Sequence, residues 1–201
     1  SQRVSLPEGY LEARDDDKQY NFEQIETLAR RAVEQGAEIV SFHECCISGY
    51  TFLQDLSREA LEAIAEPVPE GPSTQRLIEL SGRLGVPLLA GLVERDGPRL
   101  YNAYVAVAPQ GFVARHRKLH AFISPHLSCG EEFTIFELCG VRCGILTCYD
   151  NNLVENPRIL ALQGVEVVFA PHVTCGLPSS MPGRGKIDRR LWDNRHRDPV
   201  P

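Results

Sequence analysis

Arg142-Cys143-Gly144-Ile145-Leu146-Thr147-Cys148-Tyr149-Asp150-Asn151-Asn152 decides how the rest of the chain is read. An apolar run that ends at Cys148 reads as a buried strand, polar residues follow at once, and residues 153–162 then carry a helical pattern. A thiol at such a strand-to-helix turn is expected to stand outside the packed interior, near the positive end of a helix dipole. Both effects favour thiolate, the nucleophilic form. For a cysteine taken singly, a small buried core residue is the plainer reading. The rest of the chain decides between them.

Working outward from Cys148, residues 135–138 and 141–147 predict a strand pair turning at Gly140, and Gly164 precedes a further strand over 165–170. Upstream, 86–94 and 100–108 read as strands joined at Asp96-Gly97, a hairpin signal. Pro109-Gln110-Gly111 turns the chain into a strand over 112–119. Helices are predicted over 55–65 and, capped by Ser73, over 74–84. Asn21 with Gln24 has the spacing of a capping box. Ile25, Leu28, Ala29, Ala32 and Val33 continue it at helical spacing to Gly36, and a short strand follows over 37–42. Helices alternating with buried strands and hairpins indicate a layered α/β fold. Residues 1–20 read as an irregular lead, 21–171 as one domain, and 172–201 as a polar segment rich in Pro, Gly, Ser and Arg.

The 201 residues suffice for one substantial core. A net charge of −6 offers no electrostatic footprint for nucleic acid or an anionic membrane. Seven cysteines are an odd number without a disulfide-framework spacing, and no apolar leader is present, so reduced thiols in the cytoplasm are expected. Cys139, Cys143 and Cys148 lack zinc-knuckle spacing, and Cys143 and Cys148 have opposite parity in an extended strand. No metal is expected.

Three chemically suited residues each close a predicted strand: Glu44, Lys118 and Cys148. A thiol nucleophile needs a base to take its proton, which a desolvated carboxylate can do. It also needs positive charge where an oxyanion develops, which an ammonium supplies. Each alone has a plain structural reading: Glu44 as a solvated loop residue, Lys118 as one of a basic edge with Arg115 and Arg117.

The conjunction resembles the nitrilase, or carbon–nitrogen hydrolase, superfamily. Phe42-His43-Glu44 with Ser48-Gly49-Tyr50 is similar to its glutamate motif and Arg117-Lys118-Leu119-His120 to its lysine motif. Gly144-Ile145-Leu146-Thr147-Cys148-Tyr149-Asp150 is similar to its cysteine motif. Gln35-Gly36-Ala37, and Tyr101-Asn102-Ala103 through Pro109-Gln110-Gly111, add supporting matches. The resemblance implies a four-layer αββα sandwich, no cofactor, a homo-oligomer, and hydrolysis of a non-peptide C–N bond through a cysteine thioester. It implies Cys148 as nucleophile, Glu44 as general base, Lys118 as oxyanion stabiliser, and the backbone N–H of Tyr149 as a second oxyanion donor. Tyr149-Asp150 points to a small amide or N-carbamoyl substrate, cleaved with release of ammonia.

Departures from the family pattern shape the remaining expectations. No carboxylate lies between Leu119 and Gly130, where many members carry a second glutamate. His126 is the candidate polar substitute; Glu131 or Glu132 could serve if the loop is shifted, although both read more as strand-entry residues. His43 stands where a proline is usual. The family pattern extends further at both ends, so an incomplete sandwich is expected. The alternative function is that of a non-catalytic fragment or pseudoenzyme, at most an association module.

Overall fold

The computed structural model of the chain describes residues 17–173. Helix α1 spans Lys18–Glu34, with Asp17 at its N-cap accepting the Tyr20 N–H at 2.9 Å. The cap predicted at Asn21 is therefore displaced by one turn. Residues 18–20 of the expected irregular lead are helical, and Asn21 is instead buried with its amide on the Ile47 carbonyl. Strand β1 is only Val40–Ser41, shorter than the 37–42 run suggested, because it pairs with one neighbour alone before the chain turns away.

Helix α2 follows at Arg58–Ile64, its N-cap Ser57 accepting the Ala60 N–H. Helix α3, Pro72–Leu84, has Gly71 at its N-cap and Pro72 at its first position. Ser73 is thus not the cap. Its N–H and hydroxyl both donate to the Glu66 carboxylate at 2.8 Å, which supplies the acceptor that the first turn needs. Gly85 ends the helix in the left-handed conformation, as its position in the sequence predicts.

The long hairpin follows as β2, Leu88–Asp96, and β3, Arg99–Ala108. Next come β4, Gly111–Arg117, and β5, Leu127–Ser128. These complete a five-stranded sheet of order β1-β2-β3-β4, with β5 laid parallel to the start of β3. The two-residue β5 carries no pattern that a sequence window could detect. A second sheet has the order β6-β7-β8, with β6 at Ile135–Leu138, β7 at Val141–Ile145 and β8 at Val167–Phe169. Between β7 and β8 a 3-10 turn over Cys148–Asn152 leads to helix α4, Glu155–Leu162.

Period-two alternation sorts β2 and β3 between two cores. Leu88, Ala90, Leu92, Val105 and Val107 face α1 and α3, meeting Phe22, Ile25, Ala29, Leu77 and Leu80. Leu89, Tyr104 and Ala106 face the other way, against Leu138, Cys143 and Ile145 of the second sheet. Complete burial of each such leucine stabilises the fold by about 1.5–3 kcal/mol. On the far side of the second sheet α4 lies close: a Cβ on Gly144 would stand 2.9 Å from Leu160 Cδ1. The order helix, sheet, sheet, helix is the αββα arrangement expected of the chain.

Candidate active site

Glu44 is placed by a close approach of two backbones. The turn after β1 lies directly on β2, where a Cβ at Gly91 would stand 2.3 Å from the Cys45 nitrogen. Ile47 donates its N–H to the Gly91 carbonyl at 3.0 Å. Cys45 adopts a positive φ of 49°, an uncommon conformation for a residue with a side chain. The turn drives the Glu44 side chain inward until it is wholly buried.

Lys118 follows β4 by one residue. Along that strand Arg115 and Arg117 share one face and pair with Glu94, with Arg117 also reaching Asp96. His116 and Lys118 share the opposite face and are buried. The basic-edge reading thus describes the two arginines and not Lys118. The Lys118 N–H donates to the Asn102 carbonyl at 2.9 Å, and its carbonyl accepts the Gly130 N–H at 2.8 Å. Gly130 is required there, since a Cβ would fall 2.1 Å from the Arg117 carbonyl oxygen.

The two charges meet: Lys118 Nζ lies 2.7 Å from Glu44 Oε1. Asn102 Nδ2 donates to the same oxygen, also at 2.7 Å. Among the described residues the buried Glu44 Oε2 accepts no hydrogen bond. The Lys118 ammonium also stands 4.6 Å from the centre of the Phe122 ring and 5.6 Å from that of Tyr50. These aromatic faces favour the cation.

Cys148 enters from the second sheet. Leu146 donates to the Phe169 carbonyl at 3.0 Å and Cys148 to the Pro171 carbonyl at 2.8 Å. The residue itself has a φ of 52° and is 5% exposed. Its thiol is pushed up to about 11 by burial and by the charge and side-chain contact of Glu44, with Lys118 acting in the opposite direction. The expected exposed thiolate is therefore corrected. Cys148 opens a short 3-10 turn, α4 begins only at Glu155, and the buried group keeps its proton at neutral pH.

Asp150 ties the two sheets together at this point. It accepts the N–H groups of Leu119 at 3.0 Å and His120 at 2.8 Å, His120 Nδ1 at 3.0 Å and His116 Nε2 at 3.4 Å. Burial opposes its charge, but these partners outweigh burial and hold its carboxyl below the usual carboxylate value. Tyr149, whose N–H is the expected second oxyanion donor, directly follows Cys148. Its ring makes edge contacts with His120 and Phe122.

His126 does not join the group. Its N–H donates to Ser124 Oγ at 3.3 Å and its electrostatic neighbour is Glu59 on α2. Glu131 faces solvent 3.7 Å from Arg99, and Glu132 is exposed beside it. His43 turns back on the chain, Nδ1 lying 2.8 Å from the Glu44 carbonyl. Among the described residues no group of three or more His, Cys, Asp or Glu side chains is placed to hold a metal ion. The sequence reading passed over Asn102 and Asp150 as site residues, although each lies within a quoted motif, and Cys45 altogether.

The chain as a whole is similar to known proteins. A family model described as carbon-nitrogen hydrolase matches residues 9–196. The chain is 36% identical over 154 residues to a nitrilase of Pyrococcus abyssi, covering 75% of this chain and 58% of that protein. It is 33% identical over 157 residues to an omega-amidase of Bos taurus, covering 72% and 54%. Among solved structures it is similar to the amidase from Nesterenkonia sp. AN1, of the nitrilase superfamily. A mutant of that amidase carries acrylamide added to its active-site cysteine. The likeness to that structure has a TM-score of 0.68 at 25% identity and covers 85% of this chain and 67% of that one. The chain therefore spans little more than half the length of the two sequence relatives.

Proposed function

Because the chain belongs to the carbon–nitrogen hydrolase family, we propose that it hydrolyses the C–N bond of a small amide or N-carbamoyl compound through a thioester on Cys148. One observation carries the reading. A buried Glu44–Lys118 pair, 2.7 Å apart, adjoins a protonated buried thiol, and among the described residues the second carboxylate oxygen accepts no hydrogen bond. Burying two charges costs several kcal/mol, so such a pair contributes little as a device for stability alone.

In this mechanism the carboxylate of Glu44 takes the proton from the Cys148 thiol as sulfur bonds to the substrate carbonyl carbon. The carbonyl electron pair moves to oxygen, where Lys118 Nζ and the Tyr149 N–H stabilise it. Collapse of the tetrahedral intermediate breaks the C–N bond, and the proton held by Glu44 passes to the departing nitrogen as ammonia leaves. Water then gives a proton to Glu44 and attacks the thioester. The acid departs, and the proton returns to sulfur. The Nesterenkonia amidase adduct supports the cysteine as the reacting group by similarity.

A cytoplasmic enzyme that forms a homo-oligomer belongs to the same proposal. Val154, Leu162, Val167 and Val168 are exposed around the outer layer and give apolar surface for assembly. The idle-fragment alternative has no comparable support, because the relatives are named as hydrolases. Ammonia release from a panel of primary amides and N-carbamoyl compounds tests the proposal. Release should fall by at least about 100-fold in Cys148→Ala and in Glu44→Gln. Folded protein that releases ammonia from no member of the panel would overturn it.

A further inference from the structure

Among the described residues only one of the two Glu44 oxygens accepts hydrogen bonds, so something must decide which. Lys118 Nζ and Asn102 Nδ2 both donate to Oε1. Asn102 is itself ambiguous, because the two ends of its amide have nearly the same shape and opposite hydrogen-bonding character. With the carbonyl end turned toward Glu44, two acceptors would face each other at the 2.7 Å now spanned by a hydrogen bond. A second thiol removes the ambiguity. Cys45 Sγ lies 3.3 Å from Asn102 Oδ1, wholly buried, and can only serve as a donor to that oxygen. Burial and the charge of Glu44 keep the Cys45 proton on sulfur, with its value well above the ordinary 9.0.

Cys45 is also the residue next to Glu44, and Asn102 is the residue whose carbonyl holds the Lys118 backbone. We propose that Cys45 is a positioning residue: its thiol orients the Asn102 amide so that Nδ2 engages Glu44 Oε1, leaving Oε2 as the oxygen that receives the Cys148 proton. This rests on the reading of Glu44 as the base. It goes beyond that reading by giving a function to a thiol outside the Glu-Lys-Cys group.

Cys45→Ala and Cys45→Ser differ by one hydroxyl, which can donate to Asn102 as the thiol does. Two rates are compared near neutral pH: ammonia release with the best amide, and addition of acrylamide to Cys148, followed by peptide mass spectrometry. Cys45→Ala should lower kcat and the acrylamide rate together, by about tenfold, with KM little changed, as expected when a charge-assisted contact is loosened. Cys45→Ser should stay within about twofold of the parent protein, because it restores the donor. In a double-mutant cycle Cys45→Ala should add nothing once Asn102→Ala is present, since the thiol acts only through that amide.

Thermal melting of each variant separates loss of fold from loss of orientation. If Cys45→Ala matches the parent in both rates, the proposal is overturned. The same holds if Ser behaves as Ala, or if the Cys45 and Asn102 losses multiply. A parent protein that adds acrylamide to Cys148 but releases no ammonia would overturn the hydrolase reading instead. The acrylamide rates would still report on Cys45.

Discussion

At the scale of single residues, protonation distinguishes this site from a pre-formed thiolate. The Cys148 thiol, held at about 11 chiefly by burial, is neutral at physiological pH, so the proposed mechanism requires a base to remove its proton. In the proposed mechanism Glu44 takes that proton on Oε2, since Asn102 and Lys118 both donate to Oε1. Thiolate absorbance near 240 nm, measured as the parent protein minus Cys148→Ser, checks this. The difference should stay flat until within about 1.5 pH units of that value, where ionisation first exceeds a few per cent. A thiolate already present at neutral pH would contradict the burial argument. The sign for stability follows: an unfolded chain gives up this proton first, so the contribution is intact below the ordinary thiol value of 9.0 and is lost as pH rises toward 11.

At the scale of elements, glycines set how closely the Glu44 turn and β2, and the Lys118 segment and its neighbour, can approach. A methyl group on Gly91 has nowhere to go, because the Cys45 nitrogen would be 2.3 Å from it and is backbone. Gly91→Ala should cost about 2–4 kcal/mol in urea denaturation, in the range of overpacking and strain. It should lower ammonia release further, since relief requires the Glu44 turn to shift. Gly82 is the opposite case. It is exposed within α3, and its nearest neighbour, the Pro109 carbonyl, lies 4.0 Å away. Gly82→Ala should stabilise the protein by about 0.5–1 kcal/mol through the lost entropy of the unfolded chain, with activity unchanged. Opposite signs from one substitution type would locate the effect in the contact and not in the residue.

At the scale of the whole molecule, the two sheets supply different residues of the proposed site and Asp150 registers one against the other. Glu44 and Lys118 come from the five-stranded sheet and Cys148 from the three-stranded one. Asp150, two residues after the thiol, reaches back to the exit of β4 through Leu119 and His120. Asp150→Asn keeps the shape but turns an acceptor into a donor against N–H groups, at a cost of about 1–3 kcal/mol near neutral pH. Because the Asp150 carboxyl lies below its ordinary value of 3.8, its contribution is present above that pH and is lost as pH falls through the folded value. The stability gap between parent and variant should therefore narrow in acid. A gap constant with pH in denaturant titrations would show that the charge is not what holds the sheets in register.

The sequence alone determined what periodicity and local chemistry encode. The hairpin at Asp96-Gly97, the helix ended by Gly85, the strand leading to Cys148 and the order of Glu44, Lys118 and Cys148 could all be read from neighbouring residues. The αββα fold followed from the family resemblance. Local patterns misplaced the N-terminus of α1, because Asp17 capped it more effectively than Asn21. They also could not find β5, which exists only because β3 offers it a partner. Tertiary structure decided the electrostatics. Glu44 meets Asn102 across 58 positions and Lys118 across 74, and Asp150 meets the His120 N–H across 30. Burial, which raises the Cys148 thiol and encloses the Glu44 carboxylate, is created by packing the two sheets together. No window along the chain contains it.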